Sequence, residues 1–244
     1  MFGLFKKKDK APNVFDLIQV DIHSHLLPGL DDGVQTFSES VEIIREFIGL
    51  GYRKIITTPH INSSHYPNEP ADILHKLDQL KKVLSHEKLN IEINAAAEYY
   101  MDENFLEKLE NNEKLLTFGD NYILVETSFF NEPVFLKEII FKLNANGYKP
   151  ILAHPERYSY LQTNEYLLRE LAQMNIYLQM NLNSLVGLYS KGVQNLAEYL
   201  IDHKLIQFVG TDCHNPSHVE ELKKLHRSKY FKKLAKFNLR NSLL

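Results

Sequence analysis

The sequence predicts an α/β fold of parallel strands joined by crossover helices, and two observations carry that prediction. Seven short apolar runs recur, each closed by polar residues and followed by a segment of helical periodicity. The residues that close successive runs fall roughly 30 apart, the length of one βα unit. The first run, Ile18 to Ile22, is followed by Thr36-Phe37-Ser38-Glu39, a capping-box pattern. Val41, Ile44, Phe47 and Ile48 then share a helix face, and Gly51 stops that helix. After the second run, Ile55 to Thr58, Pro70 opens a helix whose stripe Ile73, Leu74, Leu77, Leu80 and Leu84 is expected to face the core. The third and fourth runs are Ile91 to Ala97 and Tyr122 to Val125. The helix that follows carries Leu136, Ile139, Ile140 and Leu143 and is ended by Gly147. Pro150 to Ala153, Ile176 to Leu182 and Leu205 to Thr211 complete the set. An α/β barrel of this size is commonly one unit, so one domain is expected over 18–244, with 1–17 as an amino-terminal extension.

Composition narrows the class. The 44% hydrophobic and 24% charged shares are those of an ordinary globular protein. No run reaches the roughly 18 apolar residues of a membrane span, and Met1 to Lys10 lacks the apolar core of a signal peptide, so a cytoplasmic protein is expected. Cys213 is the one cysteine, which excludes an intrachain disulfide. A net charge of -3 leaves no electrostatic footprint for nucleic acid. Phe2, Leu4 and Phe5 beside Lys6-Lys7-Lys8 read either as a frayed terminus or as a surface contact with an anionic membrane. Glu39, Glu42 and Arg45 share a helix face that is either solvated or a contact between copies, which leaves a homo-oligomer open.

The ends of the runs carry the chemistry. His23 and His25 close the first run, His60 follows the second, and Glu98, Glu126 and His154 close the third, fourth and fifth. Asp212 and His214 close the seventh. Residues i and i+2 of a strand face the same way, so His23 and His25 can present their imidazoles to one point. In barrels of parallel strands the carboxyl ends converge on one face. Each of these residues alone reads best as a hydrogen-bonded strand end, whereas six ends bearing only metal-binding types read as a metal site.

With Asp32 on the turn after the first run there are nine candidates, enough for two or three divalent ions bridged by a carboxylate such as Glu98. Imidazole and carboxylate without thiolate suit Zn, Mn or Fe. Clustered ions of this kind serve hydrolysis, most often of phosphate esters. Arg157, three residues beyond His154, offers a guanidinium fork for phosphate oxygens, its plain alternative being a surface pair with Glu156. His65, in the loop 61–68, is a candidate substrate contact or proton donor. Tyr99 and Tyr100 either line a pocket or pack. Cys213 is expected to point away from the site, and His75, His86, His203 and His226 to lie on the surface.

Taken in order, His23-Ser-His25, Thr58-Pro59-His60, Ala97-Glu98-Tyr99-Tyr100, Glu126, Ala153-His154-Pro155-Glu156-Arg157-Tyr158 and Asp212-Cys-His214-Asn215 resemble the motifs of the polymerase and histidinol phosphatase (PHP) superfamily. The chain is most similar there to the bacterial manganese-dependent protein-tyrosine phosphatases of the CpsB/YwqE-like group, over roughly residues 18 to 218. The resemblance implies a distorted, TIM-barrel-like (β/α)7 barrel and a trinuclear centre, with Mn first and Fe or Zn as alternatives. It places His23, His25, Glu98 and Asp212 around one ion, Glu98, Glu126 and His154 around a second, and Asp32, His60 and His214 around a third. Arg157 matches a phosphate-contacting arginine. A second arginine, frequent after the final Asp-X-His, is replaced by Asn215-Pro216-Ser217-His218. The implied activity is hydrolysis of phosphotyrosine, on a partner such as the tyrosine-rich tail of a bacterial tyrosine kinase that controls capsule or exopolysaccharide synthesis. A small-molecule phosphatase such as histidinol-phosphate phosphatase, or a catalytically idle interaction module, are the alternatives.

Overall fold

The computed structural model describes Phe15 and residues 18–244. The rest of the expected extension, with its apolar and basic residues, lies outside the described residues. Among the described residues nine strand segments run parallel: β1 (Val20–Asp21), β2 (Lys54–Thr57), β3 (His60–Ile61), β4 (Glu92–Ala95), β5 (Glu98–Tyr100), β6 (Tyr122–Glu126), β7 (Lys149–Ala153), β8 (Tyr177–Asn181) and β9 (Phe208–Gly210). They form two ladders, β1-β2-β4 and β3-β5-β6-β7-β8-β9. Thr58-Pro59 separates β2 from β3, and Ala96-Ala97 separates β4 from β5, so each pair is one stave broken by a bend. Pro59 has no N–H to give the ladder, which favours a break there. Seven staves result, matching the seven runs, in the distorted α/β barrel expected.

The barrel closes between its first and last staves, and the means of closure changes along the seam. At the top it is main chain: Ser24 bridges Cys213, His25 N–H donates to the Cys213 carbonyl at 2.9 Å, and Asp212 N–H to the His23 carbonyl at 2.7 Å. In the middle the Asp21 carboxylate accepts from Thr211 N–H and Oγ1 at 2.9 and 3.0 Å. Lower down, buried Asn241 replaces a strand edge. Its Nδ2 donates to the Val20 and Val209 carbonyls at 3.0 and 2.8 Å, and its Oδ1 accepts from Val209 N–H at 3.0 Å. Asn241→Ala would leave three buried backbone groups unpaired, so unfolding free energy is expected to fall by about 2–4 kcal/mol. Urea denaturation measures this, with metal content of the folded protein unchanged.

Helices cover the outside, and their sequence signals are visible in place. Thr36 and Glu39 form the capping box of helix Phe37–Leu50, which Gly51 ends at φ 110. Ile43, Ile44 and Phe47 are buried, with Val41 and Ile48 half-buried at the stripe's edges. On helix Pro70–His86, Ile73, Leu77, Leu80 and Leu84 face the core, but Leu74 does not: it is 44% exposed. One residue on from Ile73 is about 100° further round the helix, which takes Leu74 off the stripe. Of the helix face considered for contact between copies, Glu39 is engaged in capping and Arg45 pairs with Glu87 at 2.6 Å.

Inside the barrel a small apolar plug of Ile22, Ile56, Ala96, Leu124, Ile151 and Phe208 fills the lower part. Strand alternation then carries that inward face up to the mouth. Counting by twos, Ile56 leads to His60, Ala96 to Glu98, Leu124 to Glu126 and Phe208 to Asp212. The plug is a floor on which these side chains stand.

Candidate metal centre

All nine expected donors meet at the carboxyl ends of the strands. They fall into four overlapping sets: His23 with His25 and Glu98; His60 with Glu98 and Glu126; His23 with His154 and Asp212; and His25 with Asp32, His60 and His214. Within each set the donor atoms lie within 4.8 Å of one another. Beside the partition the resemblance implies, these sets bring His154 to His23 and Asp212, His60 to Glu98 and Glu126, and His25 to Asp32, His60 and His214. Glu98 is the hub: its Oε2 is 3.1 Å from His23 Nε2, 3.4 Å from His25 Nε2 and 3.2 Å from His60 Nδ1, and its Oε1 is 3.0 Å from His154 Nε2.

These distances fit an ion. His23 Nε2, His25 Nε2, Glu98 Oε2 and Asp212 Oδ1 stand 3.1 to 3.4 Å apart in every measured pair. A tetrahedron with such edges has a centre about 2.0 Å from each corner, the usual divalent metal–ligand distance. Glu98 Oε1, His60 Nδ1 and His154 Nδ1 are moreover buried polar atoms with no aligned hydrogen bond. Buried donors left unmatched in this way call for a ligand.

Charge explains how the cluster holds together. Burial opposes ionisation of Glu98, but His23 and His60 hold it well below the usual carboxylate range. Asp212 is likewise held down against burial by His23 and His214. Burial also opposes a charge on His25, but the Asp31 carboxylate together with bonds to Asp212 and Glu98 raises that imidazole well above its ordinary value. His154 behaves differently, pushed down to about 4 by burial, and so stays neutral. Glu126 is raised by burial and by the neighbouring Glu98. Metal binding would replace the protons of these imidazolium–carboxylate pairs.

The local fold aims each donor. His154 follows inward-facing Ala153 directly, out of step with the alternation, and reaches the cluster from a left-handed backbone (φ 34). Asp212 is left-handed too (φ 49). Such conformations cost energy and persist only where surroundings impose them. Behind the first pair of histidines stand two glycines without room for a side chain. A Cβ on Gly210 would lie 2.6 Å from His23 Cβ, and one on Gly33 2.4 Å from His25 Cβ. Gly210→Ala is therefore expected to displace His23, lower stability by about 1–3 kcal/mol and reduce bound metal. Thermal melting with metal analysis tests it; a variant that keeps full metal content would show that the close approach is not needed.

A second layer of polar residues, which sequence reasoning missed, fixes the first. Asp31 Oδ2 lies 2.7 Å from His25 Nδ1 and accepts from His60 N–H at 3.0 Å. His23 Nδ1 donates to Gln179 Oε1 at 2.8 Å, Gln179 Nε2 to Asn181 Oδ1 at 2.9 Å, and Asn181 Nδ2 to Asp212 Oδ2 at 2.7 Å. Partners of this kind set ring orientation and tautomer. A signal was present: the sixth run, which ends in no donor, carries the two amides two residues apart, on one strand face.

The donors open on a pocket of about 680 Å³. Arg157 lies in its wall, its guanidinium 4.5 Å from the Phe129 ring centre and 4.4 Å from that of Tyr189, with Nη1 donating to Asp212 Oδ2 at 2.7 Å. The surface pair with Glu156 does not form. Glu156 turns the other way and is buried, its Oε1 accepting from Asn181 N–H and Ser184 Oγ at 2.8 Å each, and burial pushes it up to about 7. His65 is exposed at the pocket rim, and Tyr66 stacks on His60 at 5.4 Å. The two tyrosines after Glu98 divide: Tyr99 is buried with its OH accepting from Leu116 N–H, while Tyr100 lines the pocket. His218, in the stretch that departs from the family pattern, also lines it, with Nδ1 3.2 Å from the Asp212 carbonyl. Cys213 is buried, its thiol pushed up by burial, and His75, His86, His203 and His226 are exposed.

Comparison with known proteins places these features in company. Residues 19–237 match the family model described as capsular polysaccharide synthesis, CpsB/CapC. The chain is 34% identical over 196 residues to the tyrosine-protein phosphatase YwqE of Bacillus subtilis, covering 80% of this chain and 77% of that protein. It is 28% identical over 226 residues to the tyrosine-protein phosphatase CpsB of Streptococcus pneumoniae, covering 89% and 93%. A solved structure from work on YwqE and CpsB, described as unique metal-dependent tyrosine phosphatases, superposes with a TM-score of 0.77 at 31% identity, covering 91% of this chain and 94% of that one. Histidinol phosphate phosphatase from Lactococcus lactis, at 13% identity and a TM-score of 0.51 over 86% and 92% of the two chains, shares the fold.

Proposed function

The chain belongs to the CpsB/CapC family, and from that membership we propose that it is a metal-dependent phosphatase hydrolysing phosphotyrosine in proteins. The observation that carries this reading is the join between nine convergent donors and an open pocket whose wall holds Arg157 between two aromatic rings. The substrate proposed is the tyrosine-rich tail of a bacterial tyrosine kinase governing capsule or exopolysaccharide synthesis, met in the cytoplasm. The nine donors would hold two or three divalent ions, manganese first. Such ions supply Lewis acidity toward a phosphate and make water a nucleophile at neutral pH.

The residues of the chain do the rest. Arg157, fixed by Asp212 and by the two rings, presents a pre-set cation to the phosphate, so little side-chain entropy is lost on binding. Tyr66, Tyr100 and Phe129 give the phenyl ring an apolar wall. His65 at the rim is placed to give a proton to the departing phenolate, whose ordinary pKa is about 10. A phosphotyrosine peptide and histidinol phosphate should be compared on protein loaded with Mn, Fe or Zn. Faster release of phosphate from the peptide is expected. Faster turnover of histidinol phosphate would replace this reading with a small-molecule phosphatase, and a protein that neither holds metal nor releases phosphate would be an interaction module.

A further inference from the structure

Beside the metal-centre pocket lies a second hollow of about 240 Å³, and Tyr100 lines both. It forms where β3 pairs with β5, between the loop 61–69 and the start of helix Glu103–Glu110. Buried Ile61, Tyr99 and Phe105 make its floor, with exposed Pro67 and half-buried Tyr100 at its sides. The rim is tied in place before anything binds. Asp102 caps the helix, its Oδ1 accepting from Phe105 N–H at 2.8 Å and its Oδ2 from Ser63 Oγ at 3.0 Å, while Asn104 Nδ2 donates to Ser63 Oγ at 2.8 Å. Ser63, Asp102 and Asn104 belong to none of the metal-donor sets and do not line the first pocket.

The chemistry of the hollow and its position together say what fills it. Its charges are already met, Asp102 by the bonds above and Lys108 by Glu113 at 3.1 Å and Glu69 at 3.9 Å. An acidic guest would meet Asp102 and Glu69, whereas an aromatic ring would cover the apolar floor and pack against Tyr100. Position supplies the link to substrate. A phosphotyrosine in a protein, with its phosphate at the metal donors, must carry its main chain out across the pocket rim, and at Tyr100 that rim is also the edge of the second hollow. In an extended segment, side chains two residues apart point the same way and stand about 7 Å apart, so one can enter each hollow with the Tyr100 ring between them. Resting on the reading of the site as a protein-tyrosine phosphatase, we propose that this hollow is a specificity subsite for an aromatic side chain two residues from the phosphotyrosine on the same substrate segment.

Steady-state kinetics of the metal-loaded protein on phosphotyrosine peptides that differ only two residues before or two residues after the phosphotyrosine test this. Phenylalanine at one of those positions should raise kcat/KM about tenfold over alanine. The gain should fall in KM, because the contact lies away from the phosphate and is made equally before and during reaction. Aspartate there should give none. Asn104→Trp on the helix and Ser63→Trp on the loop, exposed positions whose larger side chains would fill the hollow, should each abolish the preference for phenylalanine at the parent's metal content. Equal kcat/KM for the phenylalanine and alanine peptides, a gain confined to kcat, an equal gain from aspartate, or a preference that survives both substitutions would overturn the subsite and leave the phosphatase reading standing. No release of phosphate from any of the peptides would overturn both.

Discussion

Glu98→Gln is expected to lower phosphatase activity on the order of a thousandfold and to strip the protein of most of its metal. The side chain is wholly buried and lies within 3.4 Å of ring nitrogens of His23, His25, His60 and His154. No other donor is shared so widely. Glutamine preserves the volume, so the barrel should fold, but it removes the charge that four imidazoles share. Metal analysis and steady-state rates measured together decide the matter; a variant that kept its metal and lost only rate would show Glu98 to be catalytic without being a bridge.

A pH consequence follows from the same charge. Burial lowers the affinity of His60 for a proton, yet Glu98 and Glu126 raise its pKa to about 9 from 6.5. A raised histidine adds stability that is complete below 6.5 and lost as pH climbs through about 9. Metal-stripped protein should therefore melt at progressively lower temperature over that interval, and metal-stripped Glu98→Gln should show a flatter profile.

The second large effect is expected at Arg157. Arg157→Ala should reduce kcat/KM about 100- to 1000-fold with bound metal unchanged, because the guanidinium stands in the pocket wall and outside the donor sets. Arg157→Lys should recover little. A lysine cannot lie flat between Phe129 and Tyr189 while also reaching Asp212 and a phosphate. If metal were lost in step with rate, Arg157 would be acting through its 2.7 Å bond to Asp212, as a positioning residue.

Much of this arrangement was legible in the sequence, because a parallel barrel writes its site in a regular place. Each buried run points to a stave, and the first polar residue beyond it points to the mouth, so His60, Glu98, Glu126, His154 and Asp212 could be read without coordinates. What escaped was whatever depends on contact between distant segments. The role of Asp31 went unread: Asp32 beside it stands half open 3.5 Å from His60 and His214, whereas Asp31 is buried against His25. Only the three-dimensional turn shows Asp31 behind that ring. Glu156 and Arg157 are neighbours in sequence, and the 3-10 turn Pro155–Arg157 sends them apart, one to Asn181 and Ser184, the other to the pocket. Gln179 and Asn181 were overlooked because a neutral amide advertises no chemistry; its importance lies in what it holds.

The seam between the first and last staves has a temporal side. Asp21 and Thr211, which stitch it, stand 190 residues apart in the chain, and the same juncture brings His23 beside Asp212. His23 and His25 leave the ribosome six staves ahead of Asp212, and the set that includes Asp212 waits for all of them. Closing so long a loop is slow, and the open ladder exposes unpaired strand edges until it happens. A nascent chain would thus be an incomplete chelator until its seventh stave emerged, and metal bound across the seam would help to hold the ring shut.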